Sequence, residues 1–138
     1  MKVQVIRSNR KTIGLEVREG EGVFWGAPAV DEISDVEWKS ILGEFTERVN
    51  HFCKVMDVTV GRITIRNQKT RWGSCSSKGN VNFNYQLYYM PRELMDYVII
   101  HELSHRRHMN HSAEFWQEVE KYCKTYRECR KKLRDYEI

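Results

Sequence analysis

The chain has 138 residues, 41% hydrophobic and 30% charged, with a mean hydropathy of −0.66. A chain of this size buries roughly two-thirds of its unfolded surface, so one soluble domain is expected, and neither disorder nor a transmembrane helix fits the composition. Net charge is +4, and Met1–Gln4 begins no charged-then-apolar leader; the expected compartment is the cytoplasm, with Cys53, Cys75, Cys123 and Cys129 reduced.

Val3 and Val5, then Ile13, Leu15 and Val17, alternate with polar residues across a Ser8–Lys11 turn, and Val23–Trp25 follows as a third short run. This predicts an antiparallel meander over residues 1–30. A capping box, Ser34-x-x-Glu37, then opens a helix whose Trp38, Ile41, Leu42, Phe45, Val49, Phe52 and Met56 keep helical spacing; the helical segment is expected over 31–57.

Val58–Arg66 alternates as a strand, Arg71–Asn80 is rich in turn residues, and Val81–Tyr85 reads as the hairpin partner of the first strand. Between Val58 and Arg92 stand six basic residues and no acidic one, while the rest of the chain sums to −2. One reading is an edge strand guarded by outward charge. The other is a surface for nucleic acid or a nucleotide through Arg62, Arg66, Lys69, Arg71 and Lys78.

Pro91 suits the first position of the next helix, on which Leu94, Val98, His101 and His105 share a face. Asn110 can adopt the left-handed conformation that stops it, and Ser112 can cap a following helix striped by Phe115, Trp116, Val119, Tyr122, Cys123 and Tyr126. The tail Arg127–Arg134 reads as a basic, solvated helix.

His101-Glu102-Leu103-Ser104-His105 is an H-E-x-x-H motif. Histidines four apart lie one turn above each other, so both can ligate one zinc while Glu102 reaches a bound water. His108 shares the face but lies about 10.5 Å from His101 along a straight axis, too far for bonds of about 2.1 Å to converge. His111, beyond the turn, is favoured as third ligand over a carboxylate such as Glu114 or Glu118. Three ligands leave a position for water, the mark of a catalytic rather than a structural zinc. Glu102 would then act as base in peptide hydrolysis. Arg71, Tyr85, Tyr88 and His108 remain open as oxyanion donors, and Arg71, Ser74, Tyr85 and His108 are the expected substrate contacts.

Thr70–Asn80, Asn82-Phe83-Asn84, the H-E-x-x-H helix, Met109–Ser112 and Phe115-Trp116 together closely resemble the YgjP-like metallopeptidase family, relatives of the SprT and WLM zinc proteases. The resemblance covers roughly Ile63 to Lys121. It implies an α+β zincin-like domain; with the meander over 1–30 and the helix over 31–57 read from the pattern, 58–138 is the expected metallopeptidase core. It also implies one zinc per chain on His101, His105 and His111, and Glu102 as catalytic base. The Arg71–Ser77 stretch would lie near the site, or form a turn anchored by a buried Trp72. Kinship with SprT adds a possible DNA partner. Two departures stand out: a short segment between the Ser34 helix and the Ile63 strand, and Ser104 and His108 where relatives carry other residues. The competing readings are a metal-dependent nucleotide pyrophosphatase and a DNA-associated zinc module. In the latter His108 or a cysteine would close the shell and Glu102 would be dispensable.

Overall fold

The computed structural model describes the backbone of residues 4–7, together with residues 27–68 and 70–136. Ser34 starts the longest element: its Oγ accepts the Glu37 amide at 3.1 Å, and helix α1 runs Asp35–Met56 until Asp57 closes it in the left-handed region at φ 55°. Only half of the capping box forms, because the Glu37 carboxylate accepts from the Tyr89 hydroxyl instead. Trp38, Ile41, Phe45, Val49, Phe52 and Met56 are buried, as their spacing requires.

That face meets a four-stranded sheet in the order β1 (Gln4–Arg7), β2 (Arg62–Arg66), β4 (Val81–Asn84), β3 (Gly73–Cys75). Phe45 stacks on Phe83 with ring centroids 5.7 Å apart. The expected hairpin is not the one that forms. β4 pairs in parallel with β2, Ile63 opposite Val81, and takes β3 as its antiparallel partner, Gly73 opposite Phe83. Asn84, fully buried, explains the exchange. Its Nδ2 donates to the carbonyl of Gln68 at 2.8 Å, and its amide donates to that of Trp72 at 2.9 Å. The incoming turn is thereby pinned so that Gly73–Cys75 occupies the free edge of β4. The turn is anchored by Asn84 rather than by Trp72, which is only half-buried.

β2 is thus an interior strand, with β1 on one side and β4 on the other, so its arginines guard no edge. Arg62 and Arg66 are exposed at its two ends while Ile63–Ile65 are buried. β1 pairs in parallel with β2; the Ile13–Val17 and Val23–Trp25 runs of the expected meander, and Lys69, lie outside the described residues.

A 3-10 turn (Tyr85–Tyr89) leads to Pro91, which sits at the N-cap of helix α2 (Arg92–Ser104) rather than at its first turn position. Leu94, Met95, Val98, Ile99, Ile100 and Leu103 bury this helix, and a two-pronged Arg48–Asp96 contact (3.0 and 2.8 Å) ties it to α1. α2 ends earlier than Asn110. The amides of His105, Arg106 and Arg107 reach back to Glu102, Leu103 and Ser104 in a tightened last turn. Arg106 Nε donates to the Thr59 carbonyl (2.8 Å) and Arg107 Nη2 to those of Met56 (3.0 Å) and Asp57 (2.9 Å). These two side chains draw the chain off the helix axis, so no left-handed residue is needed; among the described residues Asp57 is the only non-glycine with positive φ.

Ser112 caps helix α3 (Ala113–Tyr122), its Oγ accepting the Phe115 amide at 3.3 Å, and helix α4 (Tyr126–Arg134) follows. α4 is not solvated all round. Tyr126, Cys129 and Leu133, three and four apart, are buried, and Lys132 pairs with Glu93 of α2 at 2.8 Å. All four cysteines are free thiols. No helix among the described residues is long and apolar enough to cross a membrane.

Candidate metal centre

His101 and His105 project from the last turn of α2, and the bend at residues 108–111 returns His111 to them. The candidate ligand atoms of the three lie within 4.8 Å of one another, and among the described residues no other His, Cys, Asp or Glu joins the group. His101 Nε2 and His111 Nε2 are 3.3 Å apart. Two nitrogens each about 2.05 Å from a tetrahedral zinc would stand about 3.3 Å apart, so the spacing fits the ion.

Two of the three rings have a partner behind them. His105 Nδ1 donates to the carbonyl of His108 at 3.1 Å, and His101 Nδ1 meets the Tyr97 hydroxyl, one turn earlier, at 3.1 Å. A carbonyl only accepts, so His105 Nδ1 carries the proton and its Nε2 keeps the lone pair a metal requires; the Tyr97 hydroxyl can accept from His101 Nδ1 in the same way. Phe115, fully buried, packs on all three imidazoles: stacked on His105 at 4.5 Å, and edge-on to His101 and His111 at 5.0 Å each. Trp116 stacks on His111 at 5.9 Å. Burial, with His105 and His111 adding to it, lowers His101 to a pKa of about 3; burial also lowers His105. Both are held in the neutral, ligating form.

Glu102 is buried beside the first of these histidines, and burial raises its carboxyl to about 8 against an opposing pull from Arg71. Room for it comes from Gly73: a Cβ there would stand 3.0 Å from Glu102 Cγ and 3.1 Å from Oε2. Two cavities meet at His101, Glu102 and Gly73. One, of about 360 Å³, is lined by Arg71, Ser74, Cys75, Met109 and His111 as well; the other, of about 440 Å³, extends past Trp72, Tyr97, Leu133 and Tyr136 to Arg130 and Arg134. β3, the sheet edge, contributes to both.

Arg71 and Ser74 are therefore placed at the cleft, whereas Tyr85 is not: it is fully buried, its hydroxyl donating to the Pro28 carbonyl at 2.7 Å. Tyr88 packs edge-on to Tyr89, away from both cavities. His108 serves through its backbone carbonyl, and its ring lines neither cavity. Glu118 faces Arg107 (3.4 Å) and Lys121 (3.3 Å), and Glu114 is exposed, so neither carboxylate joins the histidines. Sequence reasoning missed Tyr97 and the α4 residues, and it reached Gly73 and Met109 only as parts of the Arg71–Ser77 and Met109–Ser112 motifs. Tyr97 had a signal, its place four residues before His101.

A model of the YgjP-like metallopeptidase domain matches residues 9–136. The chain belongs to the YgjP-like metallopeptidase family. Among solved structures it is similar to the zymogen of abylysin from Pyrococcus abyssi, at 27% identity over 59% of this chain and 87% of that one, TM-score 0.53. The zymogen of Methanocaldococcus jannaschii jannalysin matches at 24% identity over 66% and 94%, TM-score 0.58. Wss1 from Saccharomyces cerevisiae shares the fold at 12% identity over 94% and 92%, TM-score 0.56. No curated protein is significantly similar in sequence. The zincin-like α+β fold expected for a YgjP-like chain is thus present, and its three-histidine group is one that could hold a metal.

Proposed function

We propose that the chain is a zinc-dependent peptidase in which His101, His105 and His111 hold one ion and Glu102 is the general base. The observation that carries this reading is a three-histidine group with no fourth protein ligand among the described residues, opening on a cleft it shares with a buried glutamate. A structural zinc module would close its shell, and neither the His108 ring nor a cysteine is in the group.

When bound, zinc supplies Lewis acidity that brings the pKa of water down to about 7 and polarises a carbonyl. The chain's own groups do the remainder. The Glu102 carboxylate takes the water proton and returns it to the departing amine, while Gly73 keeps that carboxylate clear of β3. β3 is the edge strand of the sheet among the described residues and offers backbone donors and acceptors to an extended peptide. Arg71, exposed at the rim of the cleft, is a cation whose charge acts on Glu102 and the candidate for a developing oxyanion.

Glu102→Gln tests the assignment. The amide keeps the shape but accepts no proton, so zinc content and melting temperature should stay at the parental values while hydrolysis falls by roughly 10²–10⁴-fold. Parental turnover by the variant would remove Glu102 from the mechanism.

A further inference from the structure

α4 places Arg130 and Arg134 four residues apart, on one face of the helix, where both line the larger cavity beside His101 and Glu102. The floor between them is apolar, made of Leu133, Val98 and Tyr97, each at most 6% exposed. Arg130 is held by stacking: its guanidinium lies 4.4 Å from the centroid of Trp116, which in turn stacks on Tyr126 at 5.3 Å and packs on the metal-site rings of His101 and His111. Among the described residues neither arginine has a carboxylate within ion-pair distance, although Arg48, Arg92, Arg107, Lys121 and Lys132 all do. Two exposed cations at the wall of a cavity with a largely apolar lining, next to the three-histidine group and with no ion-pair partner among the described residues, can meet an anionic group carried by a substrate.

We infer that Arg130 and Arg134 form a carboxylate subsite that makes this chain prefer peptides with an acidic group close to the scissile bond. The inference rests on the peptidase reading above. The carboxylate has two sources, an aspartate or glutamate side chain or the free C-terminus of a short peptide. A guanidinium pairs with either through two parallel N–H donors.

The test uses binding as well as cleavage, so that a failure of the peptidase reading remains visible. Fluorescent peptides of one neutral sequence are made in three forms: an internal Asp with an amidated end, an internal Asn with a free end, and an internal Asn with an amidated end. Their affinity for zinc-loaded Glu102→Gln protein is measured by anisotropy, and their cleavage by the parent is followed by mass spectrometry. An exposed charge pair supplies at most about fivefold, so two arginines should favour one acidic peptide over the doubly neutral one by about tenfold. The acidic peptide that gains identifies the carboxylate's source. In an Arg130→Gln/Arg134→Gln background the ratio should fall to near one. In Arg130→Glu/Arg134→Glu it should invert in favour of a peptide with Lys at the same place, with zinc content and melting temperature as controls of folding. Equal affinity of the parent background for all three peptides, or a preference that survives both double variants, overturns the subsite. Selective binding without cleavage by the parent would leave the subsite standing and reject the peptidase reading.

Discussion

Adding one methyl group at Gly73 perturbs the proposed base without touching a metal ligand. The new Cβ would lie 3.0 Å from Asn82 O, 3.0 Å from Glu102 Cγ and 3.1 Å from Glu102 Oε2. Ordinary carbon contacts are about 3.5–4.0 Å, so roughly 0.5 Å must be found. At Asn82 it comes only with the backbone, because its carbonyl belongs to β4 and Asn82 is in register with Ser74 of β3. Glu102 can supply it, since its side chain ends in the cleft. A misplacement of about 1 Å at a reacting group can cost about 10²-fold, so half that shift should lower kcat by about tenfold. Overpacking should cost about 1–3 kcal/mol of stability, because Glu102 can swing aside but the contact with the Asn82 carbonyl is relieved only by a small shift of β3 against β4. The assay compares kcat and KM of Gly73→Ala and parent on a quenched-fluorescent peptide, with zinc by atomic absorption and melting by circular dichroism. Parental kcat with full zinc would refute the claim that this glycine sets the position of Glu102; loss of zinc would place the fault at the histidines instead.

Tyr97→Phe removes the partner of His101 Nδ1 while keeping the ring in the core, and should weaken zinc affinity by about 10–100-fold in competition with a chelator of known strength. Stripping the metal should lower the melting temperature. At free zinc about a thousandfold above Kd the ion contributes roughly 4 kcal/mol, on the order of 10 °C for a chain of this length, and an unchanged melt would argue against a site formed by folding. Because Arg62 and Arg66 stand at opposite ends of an interior strand, replacing Arg62, Arg66 and Lys69 with glutamine should leave DNA affinity and its salt slope unchanged; salt-sensitive binding by the parent that loses about three counterions in the variant would restore a nucleic-acid surface there.

What the sequence disclosed about the fold was whatever local chemistry decides. Ser34 and Ser112 cap the helices they were expected to cap, and the apolar spacing from Trp38 to Met56 marks the buried face of α1. Strand partners are another matter, because alternation tells which face is buried and says nothing of which neighbour supplies the hydrogen bonds. Val81–Asn84 would satisfy the same pattern beside β2 in either direction. The choice is made by Asn84 reaching Gln68 and Trp72, and by Gly73-Ser74-Cys75, a strand of three residues with little of the β-branched composition that would announce it.

The site divides along the same line. His101, Glu102 and His105 follow from the pitch of one helix, and His111 from the length of one turn. Tyr85 and His108 are among the expected substrate contacts, yet the Tyr85 hydroxyl donates to the Pro28 carbonyl from inside the core and His108 contributes a carbonyl. Charge was the most misleading signal, because it was counted along the chain. The acid-free window from Val58 to Arg92 looks like one basic surface, but Arg62 and Arg66 stand at opposite ends of an interior strand, Arg71 belongs to the cleft, and Arg92 pairs with Glu44. Arg130 and Arg134 lie in a tail where Glu128 and Asp135 dilute the count, and still they face the same cavity. An electrostatic site is defined by the charges that share a surface, and which ones do is settled only when α4 lays Tyr126, Cys129 and Leu133 into the core, which leaves Arg130 and Arg134 at the wall of the cleft beside Glu102.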